Sequence, residues 1–97
     1  MLILITYDVS FDNEEGAKRL RKLSKECVNY GQRVQNSVFE CEIDGGTWRK
    51  VKNKLEDIID PEKDSLRYYY LGNKEKTKIE NHGVNRGRDL ASDLLLL

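Results

Sequence analysis

The sequence predicts a small α+β domain in which two helices cover one face of an antiparallel sheet. Three observations lead to this fold class. Short runs that are rich in β-branched and aromatic residues, or that alternate apolar with polar residues, recur along the chain. Two longer segments between them repeat their apolar residues with the period of an α-helix. A chain of 97 residues is also long enough for one hydrophobic core and too short for two.

The composition excludes several classes of protein. Hydrophobic residues make up 38% of the chain and charged residues 35%, so the chain is polar but not typical of disordered proteins. The 17 basic and 17 acidic residues cancel, so the net charge gives no global support to a nucleic-acid partner but leaves room for a local basic patch. Two cysteines are too few for a disulfide framework. Because no signal peptide or membrane-length apolar run is visible, we expect a reduced, cytoplasmic protein without a membrane partner.

The first strand and the first helix are predicted by their apolar patterns and by the residues at their ends. An almost continuous apolar run over residues 2–7 predicts a central strand that is buried on both faces. Carboxylates within residues 12–15 suit the start of a helix, because the helix dipole favours negative charge there. Over residues 14–29 the apolar side chains fall on one face at 100° per residue. We expect Gly31 to cap the end of this helix.

Two strands and a second helix follow. Phe39 and Cys41 alternate with acidic residues, which is the pattern of a half-buried strand. Val34 lies five positions before Phe39, so a single regular strand would place their side chains on opposite faces of the sheet. A turn or bulge near residues 36–37 therefore has to separate two strands. Residues 44–47 predict a turn that leads into the cap of an amphipathic helix. The apolar stripe of this helix is formed by Trp48, Val51, Leu55, Ile58 and Ile59.

The last part of the chain predicts a fourth strand over residues 66–71 and a short, polar fifth strand over residues 77–80. The composition then becomes polar and glycine-containing. We therefore expect a domain over residues 1–82 and a polar C-terminal tail over residues 83–97.

The order β-α-β-β-α-β, with a short extra strand, predicts a ferredoxin-like fold. Its helices cover one sheet face, so the other face has to meet solvent, a ligand or a second copy. The zero net charge and the apolar first strand favour a homodimer. Since this fold serves many functions, the function has to be argued from individual residues.

Asp8 is the first candidate, because it follows the buried first strand. It could cap a turn by accepting a backbone N–H, or it could bind a hard cation such as Mg²⁺. One carboxylate per chain supplies too few protein ligands to bind a cation well. The second interpretation therefore needs two copies of Asp8 to meet across a two-fold axis, where they would repel without a cation or a shared proton.

A run of basic residues over 18–25 is the second candidate. It contains five lysines and arginines in eight positions, and its acidic partners precede it. The run is either a solvated helix face or a patch that binds phosphates without base specificity. Arg19 and Arg21 flank the apolar stripe, and Arg33 at the second strand is a third possible phosphate contact, because arginine binds phosphate in a bidentate manner.

The aromatic residues are better explained by packing than by stacking on bases. Phe39 and the three tyrosines at residues 68–70 lack the aromatic fingerprint of an RNA-recognition sheet. The single histidine, His82, excludes a multi-histidine metal site within one chain. No glycine-rich phosphate loop has the spacing of an NTP-binding motif.

Three segments match a known family. They are YDV at residues 7–9, GQRVQNSVFEC at residues 31–41 and DSLRYYYLG at residues 64–72. Together they resemble the CRISPR-associated protein 2 family, in particular its branch from type I-C systems. The resemblance covers about residues 1–80 in order, and the second segment is the most specific.

The resemblance implies a homodimer with facing sheets, in which the terminal strand of one chain, here near residues 77–80, completes the sheet of the other. It also implies that Asp8 is catalytic and that two copies of it bind Mg²⁺ or Mn²⁺ at the dimer axis. Tyr7, Phe39, Arg19 and Arg33 match positions beside the family's active site.

The implied activity is that of a metal-dependent endonuclease acting on RNA or double-stranded DNA in antiviral defence. The family also bridges two dimers of the CRISPR integrase, CRISPR-associated protein 1, during spacer acquisition. In that role it is a DNA-binding scaffold that does not need to cleave. This non-catalytic scaffold is the alternative, since no residue of the sequence is an obvious general base. A small-molecule-sensing domain is a third hypothesis, but it lacks a visible ligand loop.

Overall fold

The computed structural model describes residues 1–10, 12–72 and 78–84. Within these ranges the helices and strands follow the predicted order, with a fifth strand at the end. Their bounds are β1 (Leu2–Asp8), α1 (Glu14–Tyr30), β2 (Gln32–Gln35), β3 (Val38–Glu42), α2 (Gly45–Ile58), β4 (Ser65–Tyr70) and β5 (Lys78–Gly83). The predicted tail begins in this part of the chain, but residues 85–97 lie outside the described residues.

The strands form one antiparallel sheet in the order β2-β3-β1-β4-β5. β1 is central, with Ile5 opposite Phe39 of β3 on one side and Tyr68 of β4 on the other. The first four strands have the ferredoxin-like arrangement, so the predicted fold class is confirmed. The predicted irregularity is also present, because the β2–β3 register shifts between Arg33 and Gln35.

Both helices pack on the same sheet face, and the core lies between them and the sheet. Alternate residues of three strands point to this face. They are Ile3, Ile5 and Tyr7 of β1, Phe39 and Cys41 of β3, and Leu66 and Tyr68 of β4. The helices add Leu23 and Cys27 from α1 and Trp48, Val51 and Leu55 from α2. On the opposite, helix-free face, Thr6 and Tyr69 are buried as well, which matches the prediction of a first strand buried on both sides.

The two cysteines behave as small apolar groups, as expected. Both are free and buried, and burial raises the pKa of the Cys27 thiol to about 12. A neutral, enclosed thiol is unreactive at neutral pH. No helix of the described residues is long and apolar enough to cross a bilayer.

Side-chain caps determine where the helices begin. The Asn13 side chain accepts a hydrogen bond from the Gly16 N–H at 2.9 Å and starts α1. Asp44 accepts the Thr47 N–H at 2.7 Å, so α2 begins at Gly45 and the predicted turn is its first helical turn.

Gly31 is the C-cap of α1, as expected, and its N–H donates to the Cys27 carbonyl oxygen at 2.8 Å. Its φ of −147° is ordinary extended backbone, so no left-handed cap is involved. A Cβ at this position would lie 2.7 Å from the Glu40 carbonyl oxygen and would overlap the Cys41 sulfur. Glycine is needed here because the chain passes close to β3.

β5 runs three residues beyond the predicted strand and one residue past the predicted domain boundary. Contacts with α2 and β4 explain the extension. His82 pairs with Glu56 of α2 at 3.4 Å, and the Ser65 hydroxyl of β4 donates to Asn81 at 3.2 Å. β5 pairs with β4 of its own chain, whereas the resemblance implies pairing with a partner's sheet.

A second set of polar contacts joins α2 to β4 and β5. The buried Tyr68 hydroxyl donates to Glu56 at 3.0 Å, and the Tyr70 hydroxyl donates to Glu80 at 3.0 Å. Glu80 also forms an ion pair with Lys52. The Trp48 indole N–H donates to the Tyr70 hydroxyl at 3.2 Å. These bonds satisfy the polar ends of aromatic side chains whose rings fill the core.

Asp64, just before β4, joins the connections at one end of the sheet. Its fully buried carboxylate accepts the Arg19 Nε–H at 2.6 Å, the Asp60 N–H at 2.9 Å and the Ser10 N–H at 3.1 Å. Its carbonyl oxygen accepts the Val84 N–H at 2.8 Å. One residue therefore ties α1, the end of β1, the α2–β4 loop and the end of β5 together.

The charge of Asp64 is favoured despite its burial. Burial alone would raise the pKa of the carboxyl, but the hydrogen bonds from Arg19, Asp60 and Ser10 outweigh this effect and hold the pKa below its usual value of 3.8. The ion pair therefore stabilises the fold fully when the pH is above the usual carboxyl pKa. This stabilisation is lost as the pH falls through the lower pKa that Asp64 has in the folded state.

We expect Asp64→Asn to lower the free energy of unfolding by about 3 kcal/mol at neutral pH, because it leaves Arg19 without its counter-charge. The loss should shrink as the pH falls, since the wild-type carboxylate is then protonated. Urea unfolding at several pH values measures both effects. Asp57→Asn, at an exposed position of α2, is the matched control and should change stability by less than about 0.5 kcal/mol. Equal stability of the two variants would contradict the role of Asp64.

Gly83 supplies a second test of the same region. Its φ of +89° is one that L side chains rarely adopt, and a Cβ there would overlap the Asp64 carbonyl oxygen and lie 3.2 Å from Ile59 Cδ1. We expect Gly83→Ala to destabilise the protein by at least about 1–2 kcal/mol in urea unfolding. Gly72→Ala is the control, because a Cβ at Gly72 meets nothing within 4 Å. A Gly83→Ala variant as stable as the Gly72→Ala variant would refute the steric argument.

Candidate functional site

Asp8 is the last residue of β1 and is exposed at the sheet end. Strand alternation places it on the helix-free face, opposite the buried Tyr7. The Ser10 N–H, two residues further along the chain, donates to Asp64 at 3.1 Å. Both interpretations of Asp8, as a turn cap and as a cation ligand, stay predictions. An exposed carboxylate at the end of a rigid central strand is well placed for a ligand or a second chain.

Three of the predicted site residues form one cluster beside Asp8. The Arg33 guanidinium carbon lies 4.8 Å from the centre of the Phe39 ring. The Tyr7 and Phe39 rings stack with their centres 6.2 Å apart and an interplanar angle of 21°. Tyr7 and Phe39 are buried, so they support the guanidinium from the core side.

The Arg33 side chain is held in a fixed position. Its Nη1 donates to the Asn36 carbonyl oxygen at 2.7 Å, and its Nη2 donates to the Ser24 hydroxyl at 2.5 Å. The Tyr7 hydroxyl also donates to the Asn36 carbonyl oxygen, at 3.5 Å. These bonds anchor the cation to α1 and to the β2–β3 turn.

Tyr7 remains a neutral phenol at neutral pH. Burial raises the pKa of its hydroxyl, and a hydrogen bond involving Ser24 offsets this only in part. Tyr7 therefore acts as a hydrogen-bond donor and a packing group, not as a base.

An open groove of about 710 Å³ lies between α1 and the β2–β3 turn and reaches Asp8. We call it the α1–β2 groove. It brings together four predicted residues: Tyr7, Asp8, Arg21 and Arg33. The other lining residues are Val9, Leu20, Ser24, Lys25, Asn36 and Ser37. Ser24 and Lys25 belong to the predicted basic run over residues 18–25, whereas Asn36 and Ser37 were missed as site residues.

Arg19 does not line the groove. Its side chain is 17% exposed and lies on the other side of the helix stripe, where it pairs with Asp64 and donates to the Ser10 carbonyl oxygen at 3.3 Å. Of the two arginines that flank the stripe, Arg19 reaches the sheet and Arg21 reaches the groove. The nucleic-acid-binding role of Arg19 stays a prediction.

Metal ligands were predicted only at Asp8. Among the described residues there is no group of three or more histidine, cysteine, aspartate or glutamate side chains that could hold a metal ion. The paired Asp8 site across a dimer axis therefore remains a prediction.

Comparisons with known proteins agree on one family. A model of the family described as CRISPR associated protein Cas2 matches residues 1–79. The CRISPR-associated endonuclease Cas2 of Halalkalibacterium halodurans is 55% identical over 98% of this chain and 99% of its own length. The CRISPR-associated endoribonuclease Cas2 of Chlorobaculum tepidum is 48% identical over 99% of this chain and its own full length.

Two solved structures share this fold, and one of them is a Cas2 protein. The crystal structure of Streptococcus pyogenes Cas2 at pH 6.5 matches with a TM-score of 0.70 and 51% identity, over 74% of this chain and 87% of that one. A hypothetical protein from Thermus thermophilus matches with a TM-score of 0.61 and 30% identity, over 79% of this chain and 96% of that one. The assignment to the type I-C branch stays a prediction. The family model and the relatives together show that this chain belongs to the CRISPR-associated protein Cas2 family.

Proposed function

We propose that this chain is a metal-dependent endonuclease that cleaves phosphodiester bonds in RNA or double-stranded DNA. Relatives named endonuclease and endoribonuclease, about half identical over nearly the whole chain, support the reaction class. The observation that carries the proposal is the position of Asp8, an exposed carboxylate beside a groove lined by Arg21, Lys25 and Arg33.

The cationic side chains of the groove would bind the substrate phosphate. Arg33 is held by Ser24, Asn36 and the Phe39 ring, so little side-chain freedom is lost when it meets a phosphate oxygen. Fixed positive charge beside the reacting phosphate stabilises the charge that develops during cleavage. Arg21, on the facing helix, adds a second cation.

Asp8 suits a hard divalent cation. Its carboxylate oxygens are the ligands that Mg²⁺ and Mn²⁺ prefer, and Mg²⁺ commonly takes one or two carboxylates together with water and phosphate oxygens. In the proposed homodimer the Asp8 side chains of both chains would hold one ion. When bound, the ion would polarise the phosphate and lower the pKa of a water molecule.

The second candidate is the non-catalytic scaffold. It is supported by the groove cations, which can hold phosphates whether or not Asp8 takes part in chemistry. In this role the homodimer would act in the cytoplasm at the spacer-acquisition step, holding DNA and bridging dimers of the CRISPR integrase, CRISPR-associated protein 1.

The endonuclease proposal predicts that Asp8→Ala lowers Mg²⁺-dependent cleavage of labelled RNA and duplex DNA by on the order of 100-fold or more. Cleavage is measured by gel electrophoresis across a metal titration, and light scattering checks that the dimer is kept. Asp57→Ala, at an exposed position of α2, is the matched control and should cleave at the wild-type rate. Undiminished cleavage by Asp8→Ala would refute the proposal and point to a contaminating nuclease.

The scaffold proposal predicts that spacer integration depends on basic residues of α1 and not on Asp8. Asp8→Ala should still support integration with the purified integrase, whereas Arg21→Glu combined with Lys22→Glu should abolish it by repelling DNA phosphates. Arg19 is left unchanged, because a reversed charge there would face Asp64 and disturb the fold. Normal integration by the charge-reversed protein would exclude this surface as the DNA-binding one.

A further inference from the structure

Four groups in the α1–β2 groove form a closed ring of hydrogen bonds. Arg33 donates from Nη2 to the Ser24 hydroxyl at 2.5 Å and from Nη1 to the Asn36 carbonyl oxygen at 2.7 Å. The Tyr7 hydroxyl donates to the same carbonyl oxygen at 3.5 Å. Burial raises the pKa of the Tyr7 phenol and a hydrogen bond with Ser24 partly lowers it, which is the effect of a donor at the phenol oxygen. Ser24 therefore accepts from Arg33 and donates to Tyr7.

This use of Ser24 is unusual for a serine within a helix. Such a serine commonly turns its hydroxyl back to a carbonyl of the preceding helical turn. Here the hydroxyl joins α1 to β1 and β2 instead. Tyr7 is buried and stacked on Phe39, whereas all four residues of β2, including Arg33, are exposed. The guanidinium is thus the member of the ring that would move most if the Ser24 hydroxyl were removed.

The contacts that hold Arg33 use neutral groups. They are a hydroxyl, a backbone carbonyl and the Phe39 ring, whose centre lies 4.8 Å from the guanidinium carbon. In the part of the chain that the structure describes, no carboxylate forms an ion pair with Arg33. Arg19 is the contrast, because the Asp64 carboxylate at 2.6 Å balances its charge. Arg33 therefore combines a fixed position with an unbalanced positive charge.

That combination suits a group that has to stabilise charge on a reacting phosphate. A cation is most effective when it is already in place, so that it does not reorganise as the charge develops. A carboxylate would also fix a guanidinium, but it would compete with the phosphate for the same cation. A hydroxyl fixes it without this competition. Arg33 uses two of its five N–H donors in the ring, so others remain for a phosphate oxygen.

We propose that Ser24 is a positioning residue, which holds Arg33 in place for the substrate phosphate without balancing its charge. Ser24 acts through Arg33 and does not have to touch the substrate. The inference rests on the proposed function, since it names a residue on which the rate of that reaction depends.

Three substitutions at Ser24 separate the position of Arg33 from its charge. Ser24→Ala removes the hydroxyl and releases the guanidinium with its charge intact. Ser24→Thr keeps the hydroxyl, and its extra methyl group has room because Ser24 lines an open groove. Ser24→Asp keeps an acceptor but places a carboxylate against the cation. Asn29→Ala, at an exposed position of α1 outside the groove lining, is the matched control.

We expect Ser24→Ala to lower kcat for Mg²⁺-dependent cleavage about tenfold, because hydrogen bonds to charged groups are strong. KM should change by less than about twofold, since the fixed cation matters most in the transition state. Ser24→Thr should stay within about threefold of the wild type, because it keeps both hydrogen bonds. Ser24→Asp should lose at least as much as Ser24→Ala, and Asn29→Ala should match the wild type.

A double variant tests whether Ser24 acts through Arg33. Arg33→Ala combined with Ser24→Ala should cleave no more slowly than Arg33→Ala alone, because the second substitution then has no cation to release.

Nuclear magnetic resonance on isotope-labelled protein in EDTA tests the hold without cleavage. The Arg33 side-chain N–H groups should exchange with water at least about tenfold faster in Ser24→Ala than in the wild type, since hydrogen-bonded N–H groups are protected. Ser24→Thr and Ser24→Asp should keep the slow exchange. The Asp variant then shows a fixed arginine that no longer supports cleavage.

Any of four results would overturn the inference. They are unchanged Arg33 exchange in Ser24→Ala, wild-type kcat in Ser24→Ala, a Ser24→Thr variant as slow as Ser24→Ala, and additive losses in the double variant. Failure of the proposed function is distinguishable. A wild-type protein that never cleaves, but whose Arg33 is released by Ser24→Ala, would reject the nuclease and keep the hold on Arg33. Cleavage that is lost with Asp8→Ala but not with Ser24→Ala would reject the positioning role alone.

Discussion

The buried ion pair between Arg19 and Asp64 is the interaction on which the rest of the molecule depends. Asp64 accepts hydrogen bonds from α1, from the backbone after β1 and from the α2–β4 loop, and its carbonyl oxygen holds the chain after β5. A buried carboxylate is costly to desolvate, so it persists only where several donors converge on it. These donors come from segments far apart in the sequence. The pair therefore forms only when the sheet end and α1 are correctly assembled.

The same pair determines which cations face the groove. Successive residues of a helix are 100° apart, so Arg21 points away from Arg19 across the apolar stripe. With Leu23 and Cys27 in the core and Arg19 held on Asp64, Arg21 and Lys25 lie toward the β2–β3 turn. There Arg33 is held by Ser24 and Asn36. The arrangement of the candidate site thus follows from a structural contact on the opposite side of the helix.

Local patterns in the sequence were sufficient for the fold but not for the whole site. Strand and helix periodicities depend on near neighbours, so the order of elements and the β2–β3 irregularity were predicted correctly. The extension of β5 was missed because its polar residues are held by tertiary partners, as in the pair between His82 and Glu56. The family resemblance indicated Tyr7, Arg33 and Phe39, which the fold brings together. Asn36 was missed as a site residue because only the assembled groove places it opposite α1.

The zero net charge, which first counted against a nucleic-acid partner, is explained by where the charges are used. Asp64 neutralises Arg19 inside the protein, and Glu80 pairs with Lys52 between β5 and α2. These carboxylates contribute to the total but do not line the α1–β2 groove, whose lining has three cations and one carboxylate. Electrostatic attraction to a phosphate depends on charges within about 10 Å at moderate salt. A neutral chain can therefore present a locally positive groove, and the internal pairing of Asp64 is what keeps that carboxylate from cancelling it.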